Sequence, residues 1–297
     1  MSTPSAPPPP PPTAPGPRPP RERTWLYLGA GIAVAVVVTL VVLVVLPPSS
    51  SSGGGSGSAL TYSGARPIAD RTVANFQGGG WNLLLAAGVV PASTITVPVN
   101  GTEFANLSCT FTLVASFHNY TVAGFNGSRT SGEAPTWEFA YVNTGGTLVL
   151  VSVAGGSGTI LGTLSGGSCS EAAILPTVPS GVVDSSQAAA AVAPYATGFL
   201  SAHPNASAVF GLGPGVFFGG STLGLDWVVL YSTCPAHSLV VSTGLELNAT
   251  VNAFTGAVIT HHPVTNVTCA GSVPFTTVHR SGEATSTPLS LVARRRE

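Results

Sequence analysis

The chain has 297 residues, 44% of them hydrophobic and only 7% charged, with a net charge of −1. Ordinary globular chains carry about 25% charged residues, and so near-neutral a chain excludes general electrostatic attraction to nucleic acid or anionic lipid. Lysine is absent and all ten basic residues are arginine, which rules out a Walker A phosphate loop. With mean hydropathy at +0.42, solubility of any folded part must rest on Ser, Thr, Asn and attached sugar.

Residues 1–24 are Pro-rich, with an unbroken proline run from Pro7 to Pro12. Such a run favours polyproline II and cannot build a packed core, so a disordered cytoplasmic tail is expected. Residues 25–46 follow without a charge. Their length as a helix is about 33 Å, enough to cross a bilayer core. Arg18, Arg21 and Arg23 precede this stretch, and no basic residue follows until Arg66. That asymmetry predicts a cytoplasmic N-terminus and an extracytoplasmic remainder, with the lipid bilayer as partner of residues 25–46. A cleaved signal peptide is the alternative, but its apolar core spans about 7–15 residues close to the N-terminus. The stretch therefore reads as an uncleaved signal-anchor in the cell membrane. Residues 47–58, Pro-Pro and then Ser and Gly, read as a flexible linker.

The remainder reads as a β-rich α+β domain. Short Val/Leu/Ile/Phe/Tyr runs between Gly-containing turns predict strands near residues 94–99, 110–117, 137–142, 147–153, 227–231, 238–241, 245–251 and 257–260. A short helix is expected over 70–77 and a longer one over 184–201. The longer one opens with Asp184 and Gln187 in capping-box positions, and Pro194 should kink or end it. Two units are expected, 59–180 and 181–282, before a loose tail at 283–297. Each has a helix opening on an Asp (Asp70, Asp184), a Trp-led strand (Trp137, Trp227), a Gly turn before a β-branched pair (Gly158, Gly256) and a late cysteine (Cys169, Cys269). This pattern predicts two helices, each packed on an antiparallel meander.

Val251 to Ile259 reads VNAFTGAVI. It resembles the strand-turn-strand signature of PepSY-like modules, in which a helix precedes a short meander. The resemblance implies a noncatalytic inhibitory or binding module and carries no catalytic residues.

Asn-x-Ser/Thr occurs at Asn100, Asn106, Asn119, Asn126, Asn205, Asn248 and Asn266. Chance predicts about two or three such sequons in a chain this rich in Ser and Thr, and none falls in the tail or the span. N-glycosylation of the outer domain is therefore expected. Cys109, Cys169, Cys234 and Cys269 all lie there too. An even count outside the cytoplasm argues for two disulfides. Three pairings exist, and Cys109–Cys169 with Cys234–Cys269 keeps one bridge within each half.

Cys234 with His237, and His261 with His262, do not have zinc or blue-copper spacing, so no metal or other cofactor is predicted. Catalytic motifs are missing. Gly211, Gly213 and Gly215 form GxGxG, but Pro214 interrupts it and no βαβ unit surrounds it, so a loop is expected. The outer carboxylates read as caps and surface charges. Trp81, Trp137 and Trp227 read as core anchors rather than a sugar-stacking face. The expected role is noncatalytic binding or structure in the envelope, with an envelope protein or glycan as partner. The alternatives are an inhibitory or chaperone module for secreted enzymes and an anchored hydrolase with an unrecognised site.

Overall fold

A computed structural model describes residues 58–76, 79–93, 95–98, 110–113, 119–122, 124–125, 127–166, 172–215, 223–234 and 242–269. The expected tail, span and C-terminal tail lie outside these residues, as does the linker up to residue 57. So do the candidate strand 238–241 and the Cys109 and Cys169 pairing. Among the described residues no helix is long and apolar enough to cross a membrane.

The chain folds as a β-rich α+β structure. Two helices, α1 (Tyr62–Ala74) and α2 (Ser185–Ala202), lie on one face of an antiparallel sheet. The strands are β1 (Asn82–Val90), β2 (Ile95–Pro98), β3 (Thr110–Leu113), β4 (Asn119–Val122), β5 (Thr136–Val142), β6 (Leu148–Ala154), β7 (Ser157–Ser165), β8 (Ser207–Pro214), β9 (Leu225–Ser232), β10 (Ser242–Asn252) and β11 (Val258–Cys269). Nine of them form one sheet in the order β11-β10-β9-β8-β1-β5-β6-β7-β3, and β2 pairs with β4 apart from it.

The helix face carries the core. Strand alternation sends Trp137, Phe139 and Tyr141 of β5 to it, and Trp227, Val229 and Tyr231 of β9. Both Trp137 and Trp227 are fully buried, as core anchors should be. Their rings meet edge-on at 6.3 Å, and Tyr62 packs against each of them. Gly88, the partner of Trp137 across β1 and β5, leaves room for its indole: a Cβ there would sit 2.8 Å from the ring.

The two halves share one frame. In each, a helix leads into a strand and then three more that pair in succession: β1-β5-β6-β7 after α1, and β8-β9-β10-β11 after α2. The buried positions Tyr62, Ala65, Ala69 and Val73 of α1 recur at the same spacing in α2 as Ser185, Ala188, Val192 and Ala196. Trp137 donates its indole N–H to the carbonyl of Leu60 at 2.7 Å, and Trp227 donates to that of Val183 at 3.0 Å. Both carbonyls lie two residues before a helix. Matching Trp137 to Trp227 sets Gly88 on Leu212 and Ala86 on Phe210. The pair Ala86–Leu212 then maps onto Phe210–Gly88, and Ala87–Gly211 maps onto itself. A local twofold therefore passes through Ala87 and Gly211, where β1 and β8 join the halves into one sheet.

Several expectations need correction. The first helix begins at Tyr62, not near Asp70, and contains Pro67. Its start depends on caps from a distant segment, described below, so local sequence could not place it. Asp70 sits inside the helix. α2 begins where expected, with the backbone N–H of Asp184 donating to Oε1 of Gln187 at 2.9 Å. It runs through Pro194, which is exposed, as is Ala190, whose carbonyl loses its amide partner to the proline. The GxGxG segment is not a loop. Gly211 and Gly213 lie in β8, and a Cβ on Gly213 would meet Leu85 at 2.7 Å. The turn before β7 is Gly155–Gly156, both at positive φ. Gly158 lies within β7, where a Cβ would collide with Thr72 of α1. Strands β1, β4, β7 and β8 were not expected, and β11 is longer than the 257–260 segment. The 251–259 stretch does form a strand, turn and strand. Asn252 Oδ1 accepts from the N–H of Phe254 and Thr255, and Gly256 turns the chain at φ 69°.

Candidate functional site

The outer face of the sheet, opposite the helices, holds the least expected residue. Thr136, Glu138 and Ala140 of β5 point there because Trp137 and Phe139 point to the core. Glu138 stands between Ala87 of β1 and Ser152 of β6, with Gly211 beyond Ala87. It is only 4% exposed, and neither carboxyl oxygen has a hydrogen-bond partner. Its neighbours Thr136 and Ser152 are buried as well. Burial pushes the Glu138 carboxyl well above the usual range, because a charge without partners is far costlier in a dry site than a neutral acid. Burial thus favours the protonated form of Glu138 over the carboxylate.

Paired-carboxylate hydrolysis needs a second acid about 5–9.5 Å away. Asp226 is on β9, three strand spacings from Glu138, which is about 14 Å or more. Glu246 lies on β10, farther still. Burial raises the pKa of both, but neither converges on Glu138. The reading of the carboxylates as caps and surface charges therefore fails at Glu138. Only β6 (LVLVSVA) carried a signal, being apolar at nearly every position as a strand buried on both faces is; β5 (TWEFAYV) alternates Thr136 and Glu138 with its aromatics and reads as half-exposed.

A second polar cluster joins the helix N-termini. Asp184 Oδ1 accepts from the backbone N–H of Ser63 at 2.7 Å, and Ser185 Oγ accepts from that of Tyr62 at 2.9 Å. Ser185 in turn donates to the carbonyl of Gly132 at 2.6 Å. One loop thus caps the first turn of α1 as well as starting α2. Farther along α1, Arg66 donates to the hydroxyl of Tyr62 and the carbonyls of Pro179 and Val178. It also sits 3.5 Å from Asp70, which accepts from the Tyr141 hydroxyl at 2.6 Å. Burial pushes the Tyr62 phenol up to about 12, against the pull of Arg66. Burial and the bond to Asp70 raise Tyr141 as well. Every polar end here is matched within the chain, so the cluster is a clamp on the segment between the halves.

The predicted modification sites are spread out. Cys234 and Cys269 form a disulfide that ties the end of β9 to the end of β11. A Cβ on Gly244 would come within 2.7 Å of both sulfurs. Asn205 is exposed in the turn between α2 and β8, and Asn266 is exposed on β11. Asn248 lies inside β10, with its Oδ1 buried and unpartnered. Asn119 opens β4. Asn100, Asn106 and Asn126 fall outside the described residues. His261 stacks on Tyr195 of α2 with ring centroids 4.2 Å apart, while its neighbour His262 is on the opposite face. Among the described residues no three His, Cys, Asp or Glu gather as metal ligands. Trp81 packs against Phe76 at 6.2 Å rather than joining the other two tryptophans.

Neither the protein-family models nor the curated proteins nor the solved structures contain a match to this chain.

Proposed function

We propose that this is a membrane-anchored extracytoplasmic glycoprotein with a noncatalytic binding or structural role in the envelope. The observation that carries it is the Cys234–Cys269 disulfide. Such bonds persist in oxidising compartments outside the cytoplasm, and the uncharged stretch 25–46 behind Arg18, Arg21 and Arg23 supplies an anchor with that orientation. The exposed sequons at Asn205 and Asn266 fit the same side of the membrane. The repeated frame supports an origin in two fused copies of one helix-on-meander unit. Protease added to intact cells should release a glycosidase-sensitive fragment containing residues 59–282. A domain that stays protected and sugar-free in that assay would overturn the topology.

A second reading has one observation of its own. α2 precedes the β8–β11 meander, the order that the PepSY-like resemblance of residues 251–259 implies. The chain would then act on secreted enzymes as an inhibitor or chaperone. Adding the detergent-purified full chain to the host's secreted hydrolases separates the two. Their turnover falls under the second reading and is unchanged under the first.

A further inference from the structure

β11 forms one outer edge of the nine-stranded sheet. Edge strands present unpaired N–H and C=O groups, a template on which another chain can add. β11 is a strong template. It has twelve residues, against four in β3 at the other edge. Seven of the twelve are β-branched, and none is Asp, Glu or Arg. Ile259 and Val264 are 52% and 46% exposed. A strand without charge repels no copy of itself, so a second molecule of this chain is the partner it fits best.

Natural edges are blunted by proline, bulges or charge. Here Pro263 falls in the register shift between the Asn248–His262 and Glu246–Thr265 pairs, which interrupts the ladder at mid-strand. The segment after it, from Val264 to the disulfide at Cys269, has no charge and no proline. It does contain Asn266-Val267-Thr268. Asn266 is exposed and pairs with Leu245, so its side chain leaves the helix-bearing side at the rim of the sheet.

We propose that Asn266 is an N-glycosylation site whose glycan caps this edge against strand addition by a second copy of the chain. The inference rests on the glycoprotein reading above. A glycan is bulky and solubilising, and one rooted on the face of the last strand overhangs the edge along which an added strand would have to pair. Asn248 is the contrast: it is held between β9 and β11 with its Oδ1 buried, and it stays unmodified.

The test uses the full chain made in a glycosylating host and extracted in detergent. Glycopeptide mass gives site occupancy, and light scattering against concentration gives association. Sugar is expected at Asn266 and not at Asn248. Asn266→Gln and Thr268→Ala should each lose that glycan and self-associate at about tenfold lower concentration. Adding Thr265→Lys to Asn266→Gln should restore the monomer, which it would not do for a misfolded chain. A bare Asn266 beside an occupied Asn205 overturns this inference alone. Loss of the glycan without a change in association overturns the edge role. Sugar at no site overturns the glycoprotein reading as well.

Discussion

The halves of the molecule share a helix, four strands, a Trp-to-backbone bond and a twofold through Ala87 and Gly211, yet they treat the outer face of the sheet differently. In the first half that face is dry: Ala140, Val142, Leu148, Leu150 and Ser152 are all buried, with Glu138 among them. In the second, Glu246, Asn248 and Thr250 point outward and are half-buried. Val228 holds the position matching Glu138. One frame thus supports an apolar outer face in one half and a polar one in the other. The lesson is that the helix-side core, not the outer face, specifies the frame.

That comparison breaks most easily at the tryptophans. Trp137→Ala and Trp227→Ala each remove a fully buried indole and its N–H bond to the segment before a helix. Each should cost about 3–5 kcal/mol, read from chemical denaturation of the outer domain. Similar losses sustain the equivalence of the halves; a large loss at one site and a small loss at the other would end it. The disulfide tests the second half alone. Cys234 and Cys269 are 35 residues apart, and a loop of that length should stabilise by about 3–4 kcal/mol in the chain-entropy model. Gly244→Ala should produce much the same deficit, together with alkylatable thiols, because its Cβ has no room beside the sulfurs.

The outer-face contrast predicts unequal pH behaviour at matched positions. At low pH Glu138 is protonated whether the chain is folded or unfolded. Above the ordinary value of 4.5 the unfolded chain releases the proton while the folded chain keeps it, so stability falls as pH rises until the folded pKa is passed. Glu138→Gln should therefore be nearly neutral at pH 4 and stabilising at pH 8, read as the difference in denaturation midpoint between variant and parent at the two pH values. Val228→Glu, on the more open face, should add a much smaller pH dependence. Equal slopes for the two variants would remove the distinction between the faces.

Much of the helix-side frame was legible because it follows local rules. Trp137 and Trp227, each leading a predicted strand, read as core anchors, Asp184 and Gln187 marked the start of α2, and the Asn252–Gly256 turn announced its hairpin. The strands that join the halves were not legible. β1 (NLLLAAGVV) is buried on both faces beyond Asn82, β8 (SAVFGLGP) is buried on both from Phe210 on, and Ala and Gly break their apolar runs, so neither alternation nor β-branching marks them. GxGxG misled for the same reason: its glycines answer to Leu85 across a strand pair that only the folded sheet creates. Glu138 was missed because one acid among apolar residues reads as an outward side chain until both faces of β5 are known to be covered.

The smallest effect expected concerns how the halves are held together. α1 has Thr61 at its N-cap position without a side-chain cap of its own. Its first amides are taken instead by Ser185 and Asp184, from the start of the other helix. Ser185→Ala should cost about 1–2 kcal/mol, the range for losing an N-cap. It also leaves the Tyr62 N–H and the Gly132 carbonyl without a partner. The location of the damage matters more than its size. Hydrogen exchange should quicken in the first turn of α1, residues 62–65, although the substitution lies in α2. Were the faster exchange confined to residues 185–190, the cap would serve α2 alone. The two helices would then be joined only through the sheet beneath them.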